Sequence, residues 1–303
     1  MRAYLLVAGI FVAAADQLHD FYLWQQLRGN GNRHRRILDL APYFFPMNGT
    51  KIALPPDTSS IVVDVGARYS KLFARARGVC THGCSSTGWL EKAALVLFEP
   101  HHPTYAVLAK DIHGDVAAGG ARRFFALPAA VAEQWGTATF NVGPVGACGS
   151  LLNTSATNKF WCAATKDRRV VPTLPLAAIL SILPGWLPWR LLKIDAEGYD
   201  LGVARSGHRL VSRFEAVLME CQDLDETTME LQQRENGCVV SEAKAYMGTL
   251  GFDHAKFGVA GKYRNGDLTF AKSAEALDHV VRQHLMGESK PKVTPSDAWG
   301  HGT

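Results

Sequence analysis

The sequence predicts an α/β protein with a doubly wound, mostly parallel sheet and an antiparallel C-terminal hairpin. After Pro55-Pro56, short apolar runs alternate with longer helix-like segments, which is the pattern of a parallel sheet. Four of these runs each meet an acidic residue at their C-terminal end. Near the end of the chain, a turn signal at 264–267 separates two further apolar runs, as in a β-hairpin.

The composition favours a folded protein without a dominant charge. The chain has 303 residues, of which 47% are hydrophobic and 20% are charged. These values exclude a disordered chain, and the length is sufficient to bury a full core. The formal net charge is only +4, and the basic residues form no dense stripe, so nucleic acid is not expected as a partner.

The first 15 residues predict a signal peptide. Arg2 precedes an unbroken apolar run, Ala3–Ala15, which ends in three alanines. At 13 residues the run is shorter than the ~20 residues that span a bilayer. We therefore expect no stable membrane span, and a protein in the lumen of the secretory pathway (ER or Golgi) or secreted. A buried N-terminal helix or strand is the alternative.

The composition along the chain divides it into four segments. They are a signal peptide at 1–15, an N-terminal extension at 16–56, the α/β domain at 57–286 and a loose tail at 287–303. The proline pair marks the second boundary. The tail is polar and rich in Pro, Gly and Lys, which is typical of a terminus that adds no core.

Six cysteines predict disulfides if the chain enters an oxidising lumen. Six allow 15 pairings, and proximity in the sequence favours Cys80–Cys84 and Cys148–Cys162. The segment Cys80–Cys84 could instead hold zinc. A second pair of ligands at zinc-like spacing is missing from the sequence, so no metal site is expected.

Two sequons match the acceptor pattern for N-glycosylation. They are Asn48-Gly49-Thr50 and Asn153-Thr154-Ser155. The pattern has meaning only for a chain that enters the secretory lumen.

The four acid-terminated runs predict a shared rim of carboxylates. The runs and their acids are Ile61–Val63 with Asp64, Leu95–Phe98 with Glu99, Leu191–Ile194 with Asp195, and Ala216–Met219 with Glu220. In open α/β sheets, ligands bind beyond the carboxyl ends of the strands, so we expect these acids to lie around one site. The alternative is that each acid caps the next helix or turn.

The end of the chain predicts two antiparallel strands and a helix. One run begins at Gly251-Phe252 and continues through Phe257 to Tyr263, and Leu268–Phe270 follows the turn signal. Ser273–Met286 has a helical pattern.

The turn after the first strand favours a cofactor without phosphate. A dinucleotide fingerprint needs three glycines, and here only Gly66 is present. S-adenosylmethionine requires a tight turn of this kind and an acid after the second strand that accepts hydrogen bonds from the ribose hydroxyls. Glu99 stands at that position.

These motifs, in this order, resemble the FkbM family of S-adenosylmethionine-dependent methyltransferases, from Ile61 to Lys272. The resemblance rests on Val63-Asp64-Val65-Gly66-Ala67, Phe98-Glu99-Pro100, Val170–Leu180, Lys193-Ile194-Asp195-Ala196-Glu197-Gly198 and Phe214–Glu220. It implies a class I, Rossmann-like enzyme that transfers a methyl group from S-adenosylmethionine to a hydroxyl of a small molecule or a glycan.

The resemblance also implies the site residues. It places Asp64, Gly66, Ala67, Glu99 and Asp195 at the cofactor, and Asp195 and Glu197 in catalysis. We expect Asp195 to orient the acceptor hydroxyl or the cofactor, and Glu197 to assist it or bind the acceptor. Alternatively, Glu197 caps the helix that begins near Tyr199 and Asp195 only braces Gly66. Lys193 is expected to pair with Asp195 or Glu220, because an unpaired lysine in an apolar strand is costly.

Three features depart from the family pattern. Arg68, Tyr69 and Ser70 stand where the family usually has Asn and Gly, Pro175 replaces a common Asp, and Arg77–Gly88 is an insertion. Of these, Arg68, Ser70 and Pro175 favour a second hypothesis, a catalytically degenerate domain that binds a ligand or partner. A NAD-dependent oxidoreductase is a third hypothesis, against which the missing glycine fingerprint counts.

Overall fold

A computed structural model describes most of the α/β region. The described residues are 44–77, 90, 92–117, 122–143, 148–154, 165–224, 234–260 and 265–284. The predicted signal peptide 1–15, the predicted tail 287–303, the segment Cys80–Cys84 and Cys162 lie outside them, and the extension 16–56 is described from residue 44 onward.

The described chain alternates strands and helices, as predicted. The strands are β1 Met47–Asn48, β2 Lys51–Ile52, β3 Ser60–Val65, β4 Ala93–Phe98, β5 Phe124–Leu127, β6 Ala130–Val131, β7 Gly136–Val142, β8 Asp167–Leu174, β9 Trp189–Ile194, β10 Phe214–Gln222, β11 His254–Ala260 and β12 Asn265–Ala271. The helices are α1 Lys71–Ala76, α2 His102–Ala117, α3 Leu176–Ile182, α4 Asp200–Ser206, α5 Val240–Thr249 and α6 Ala274–His284, with a 3₁₀ helix at His208–Arg213. Within the described ranges, no helix combines the length and the apolarity that crossing a membrane requires.

Seven strands form the main sheet, in the order β11-β12-β10-β9-β3-β4-β5. The five strands from β10 to β5 run parallel to one another. Strand β12 is antiparallel to both β10 and β11. The predicted fold class, a mostly parallel sheet with an antiparallel C-terminal hairpin, is confirmed.

The hairpin differs from the prediction at one end. The turn signal at 264–267 places Asn265, Gly266 and Asp267 between the strands, but β12 begins at Asn265. The reason is that Asn265 pairs with Gln222 on one side and Ala260 on the other. Two neighbouring strands supply ladder hydrogen bonds, and these override the local turn preference.

Helices cover both faces of the sheet. Strands β3 and β4 are buried along their whole length, which explains why they read as continuous apolar runs. One core cluster includes residues of α3, α4 and α5, with Trp189 and Phe214 among its largest members. The other includes residues of α1, α2 and α6. This two-sided cover confirms the predicted doubly wound arrangement.

A second, three-stranded sheet was not predicted. Its order is β6-β8-β7, and β8 is parallel to β6 but antiparallel to β7. The first half of β8 is exposed and the second half is buried, so the strand shows neither a continuous apolar run nor a clean alternation.

A disulfide joins the end of β10 to the residues before α5. Cys221 and Cys238 are bonded, 17 positions apart in the sequence, and local spacing did not predict this pair. Cys148 is also disulfide-bonded, but its predicted partner, Cys162, lies outside the described residues. No cysteine in the described ranges has a free thiol.

Candidate functional site

An open cavity of about 130 Å³ lies at the carboxyl ends of the central parallel strands. Its lining includes Gly66, Glu99, Asp195 and Glu197. These four predicted site residues come from three strand ends that are far apart in the sequence. The structure therefore brings together most of the predicted cofactor and catalytic residues.

Gly66 forms the floor of the cavity where β3 and β9 approach each other. It has a φ of +76°, a region that favours glycine. A Cβ at this position would lie 1.9 Å from the backbone oxygen of Asp195. The N–H groups of Gly66 and Ala67 both donate to the Phe98 carbonyl, at 3.0 and 2.9 Å. The turn is thus fixed against both neighbouring strands.

Asp64 lies inside β3, not after it, and its carboxylate is not on the cavity wall. Oδ1 is 3.1 Å from Nζ of Lys193, and Oδ2 accepts a hydrogen bond from the Ser70 hydroxyl at 2.9 Å. Burial raises the pKa of Asp64, and Lys193 opposes this effect. Ala67 is also buried, in the core beside α1. These two predicted cofactor residues stand behind the turn.

Lys193 forms ion pairs with the buried acid Asp64 and with the exposed acid Asp195. Its Nζ lies 3.1 Å from Asp64 and 3.3 Å from Asp195. Burial lowers the pKa of Lys193, but the charges of the two carboxylates outweigh it and raise the pKa above its usual value. The predicted partner Asp195 is confirmed, and Asp64 is the second partner. The ammonium group therefore bridges a carboxylate inside the sheet and a carboxylate on the cavity wall.

Glu99 is held by two backbone amides at the end of β4. Oε2 accepts the N–H of Arg68 and Oε1 accepts the N–H of His101, each at 2.8 Å. Burial raises the pKa of Glu99 to about 7, against the effect of these bonds. A carboxylate has about four acceptor positions, so further donors from a ligand can be accommodated on the cavity side.

A cluster of three acidic side chains consists of Asp195, Glu197 and Glu220. One oxygen of each lies within 4.8 Å of the others. Burial, with a contribution from Asp195, raises the pKa of Glu197 to about 8 and the pKa of Glu220 well above its usual value. The side chain of Asp195 is 42% exposed. Like-charged groups at this separation hold protons more strongly than isolated ones.

Arg234 is a site residue that the sequence did not reveal. Its Nη2 donates to the Cys148 carbonyl at 2.7 Å and its Nη1 donates to the Thr154 hydroxyl at 2.9 Å. The guanidinium lowers the pKa of Glu197, partly against burial. No local pattern signals this residue, since its partners lie about 80 positions away in the sequence.

Asp200 braces the turn between β9 and α4. Its Oδ2 accepts the N–H of Gly198 at 3.1 Å and its Oδ1 accepts the N–H of Glu220 at 3.0 Å. The side chain is fully buried, and burial raises its pKa to about 7. The acid that stabilises the start of this helix is therefore Asp200, whereas the sequence offered Glu197 for that task. Glu197 itself has a φ of +52° and lines the cavity.

Replacing Asp200 with Ala should destabilise the protein by about 2–4 kcal/mol, because two backbone amides lose their acceptor. Asp200→Asn should cost about half as much, since one acceptor oxygen remains. Urea unfolding at pH 7 measures both changes. Asp253→Ala, at an exposed aspartate, is the matched control and should be neutral. A neutral Asp200→Ala would show that the described hydrogen bonds do not stabilise the turn.

Stability should fall as the pH rises from about 5 to 8.5. The pKa values of Glu99 and Asp200 are raised to about 7 and that of Glu197 to about 8, from 4.5, 3.8 and 4.5. Between these two sets of pKa values, the folded chain binds protons that the unfolded chain has released. The stability that these protons contribute is complete below the pKa values of the unfolded chain, and it is lost as the pH rises through the folded pKa values of about 7 to 8. Each such proton changes stability by about 1.4 kcal/mol per pH unit.

Urea midpoints at pH 5.5, 7.0 and 8.5 measure this effect. Glu197→Gln should flatten the decline, while Glu275→Gln, at an exposed glutamate of α6, should leave it unchanged. Stability that increases with pH over this range would contradict the prediction.

Comparison with known proteins gives only distant structural likeness. No family model and no curated protein matches the chain. Among solved structures, it is similar to the methyltransferase FkbM from Methylobacillus flagellatus KT, with 14% identity and a TM-score of 0.42 over 84% of this chain and 60% of that one. It is also similar to a candidate O-methyltransferase from Nostoc punctiforme PCC 73102, with 10% identity and a TM-score of 0.35 over 70% and 51% of the two chains. The chain thus covers 60% and 51% of those two proteins.

Proposed function

We propose that this protein is an S-adenosylmethionine-dependent methyltransferase that methylates a hydroxyl of a small molecule or a glycan. One observation carries the proposal. The glycine turn at Gly66, the carboxylate of Glu99 and the exposed acid Asp195 lie around one cavity at the carboxyl ends of adjacent parallel strands. Ligands of open α/β sheets bind at this place.

The residues present fit this cofactor. Glu99 is held in place by two amides, and its remaining lone pairs suit the two hydroxyls of a ribose. The cavity wall also carries the exposed carboxylate of Asp195, and a carboxylate favours a cationic ligand over an anionic one. Gly66 lets the backbone approach the ligand without a side chain. Asp64 acts indirectly, because it positions Lys193 and Ser70.

Asp195 and Glu197 are the proposed acceptor-side residues. When bound, the cofactor supplies a sulfonium methyl group that an acceptor oxygen attacks in line. Asp195 is exposed to the cavity and hydrogen-bonded to Lys193, so it can accept a hydrogen bond from a hydroxyl and orient it. Burial raises the pKa of Glu197 to about 8. A side chain transfers protons most effectively when its pKa lies near the working pH, so Glu197 is suited to this task close to neutral pH.

Calorimetric titration tests the cofactor assignment. S-adenosylmethionine and S-adenosylhomocysteine should bind the protein, and NAD should give no heat, because the phosphate-binding glycines are absent. Binding of NAD alone would favour an oxidoreductase. If neither sulfur ligand binds, the result would favour a degenerate binding domain. Arg68, which departs from the family pattern, lines the cavity and is the residue that motivates this alternative.

Methyl transfer is tested separately, with a donor that carries a labelled methyl group and a set of sugars and small alcohols. Label in an ether product supports the proposal. Donor binding without transfer to any hydroxyl, but with transfer to an amine or thiol set, would correct the acceptor class.

A further inference from the structure

The sequon at Asn48 occupies the tip of the β1–β2 hairpin. Asn48 pairs with Lys51, which leaves Gly49 and Thr50 as a two-residue loop. All three sequon residues are exposed. Gly49 has a φ of +60°, with no atom within 4 Å of the position of a Cβ. The acceptor side chain therefore lies on an exposed, compact turn.

The hairpin is firmly anchored on its other side. Phe45, just before the hairpin, and Ile52, in β2, are buried in the main core. The Lys51 ammonium donates to the Ser181 carbonyl in α3. A substituent on Asn48 can thus project into solvent without disturbing these contacts. Surface turns of this kind accommodate bulky, soluble groups.

The hairpin also lies away from the cavity. Ser181 lies near the end of α3, and residues 183–188 connect this helix to Trp189, the first residue of β9. The cavity lies at Asp195, beyond the last residue of β9. Six residues of strand separate the two ends by about 20 Å. A large group at Asn48 would leave the cavity open.

The second sequon differs, since two of its side chains, those of the exposed Asn153 and of Thr154, take part in contacts, and its Ser155 lies outside the described residues. The Asn153 amide donates to the Glu235 carboxylate at 3.3 Å, and the Thr154 hydroxyl accepts from Arg234 at 2.9 Å. Both contacts join the segment 148–154 to the segment that begins at residue 234. Asn48 is therefore the sequon that the fold leaves available.

The disulfides point to the compartment in which such a modification occurs. Cys221 is bonded to Cys238, and Cys148 is disulfide-bonded as well. Disulfides persist in the secretory pathway and outside the cell, where asparagine glycosylation also takes place.

We propose that Asn48 carries an N-linked oligosaccharide, acquired in the secretory pathway. The co-reactant is a lipid-diphosphate-linked oligosaccharide, and the host's transferase catalyses the step. The Asn48 amide nitrogen forms a bond to the anomeric carbon, the bond from that carbon to the diphosphate oxygen breaks, and the lipid diphosphate leaves while the amide loses one proton. The inference does not depend on the proposed methyltransferase function.

The experiment expresses the full chain, with its own N-terminus, in cultured animal cells. Treatment with peptide N-glycosidase F should increase the gel mobility of the wild-type protein by one glycan. Asn48→Gln and Thr50→Ala should both abolish this shift, and Thr50→Ser should retain it. Asn153→Gln is the matched control and should shift like the wild type.

Two results would overturn the proposal: a wild-type chain that the glycosidase does not alter, or an Asn48→Gln variant that shifts as the wild type does. Thermal melting of each variant confirms that it is folded. Peptide mass spectrometry of the treated protein should find Asn48 converted to aspartate. Calorimetry with S-adenosylmethionine should give the same affinity before and after deglycosylation, so a failure of the donor to bind would count against the proposed function alone.

Discussion

Replacing Gly66 with Ala should prevent the protein from binding S-adenosylmethionine and should destabilise it more than any other single change considered. The new Cβ would lie 1.9 Å from the backbone oxygen of Asp195. The neighbouring atom is backbone, so no side chain can rotate away. Asp195 also donates its N–H to the Val65 carbonyl at 2.9 Å. The ends of β3 and β9 would have to separate, which disrupts the floor of the cavity.

A matched control separates this contact from ordinary backbone strain. Gly251 has a φ of +81°, close to that of Gly66, and no atom lies within 4 Å of its Cβ position. Gly251→Ala should therefore cost only the ~1–2 kcal/mol of a left-handed alanine. We expect Gly66→Ala to cost about 4 kcal/mol or more, in the range of severe core disruption. Urea unfolding and donor titration measure the two variants. Equal midpoints, or intact donor binding in Gly66→Ala, would contradict the close approach of the strands.

The parallel sheet could be predicted from the sequence because its strands are buried on both faces. Continuous burial leaves a run of apolar residues, as in β3 and β4, and such runs are visible without any knowledge of partners. The carboxyl ends of these runs then locate the cavity. Glu99 and Asp195 follow from this rule, and Gly66 follows from the glycine in the turn after the first run.

The remaining site residues depend on contacts between distant segments. Arg234 reaches Cys148, 86 positions away, and nothing in the neighbourhood of either residue signals the contact. Glu197 lines the cavity, whereas Asp200 is buried and accepts the N–H groups of Gly198 and Glu220 beside the left-handed turn at Glu197 and Gly198. Burial of that turn selects the acid that satisfies its amides.

Asp64 shows why a strand-end acid can be misread. The sequence places it after an apolar run, but β3 continues through it to Val65. A buried carboxylate inside a strand needs a counter-charge, and Lys193 supplies it from the neighbouring strand. The same lysine then reaches Asp195. The pattern of an acid after an apolar run thus includes both an interior acid, Asp64, and a cavity acid, Asp195, and does not distinguish them.

Replacing Glu99 with Gln should weaken S-adenosylmethionine binding by at least tenfold. The variant keeps the shape of the side chain but loses its charge, and hydrogen bonds to a charged group contribute about 1.5–3 kcal/mol each. An amide also has only one oxygen for the two N–H donors, from Arg68 and His101, that the carboxylate now satisfies. The affinity is measured by calorimetry at a temperature well below the melting transition of the variant.

A dependence on pH distinguishes a direct role of Glu99 from a merely structural one. Because the pKa of Glu99 is raised to about 7, the wild-type carboxyl loses its proton between pH 6 and pH 8. If the carboxylate binds the ribose hydroxyls, wild-type affinity should increase over this range, and Glu99→Gln should lack that part of the increase. Glu242→Gln, at a glutamate whose side chain is 62% exposed, should follow the wild type. A Glu99→Gln variant with wild-type affinity and wild-type pH dependence would remove Glu99 from the cofactor site.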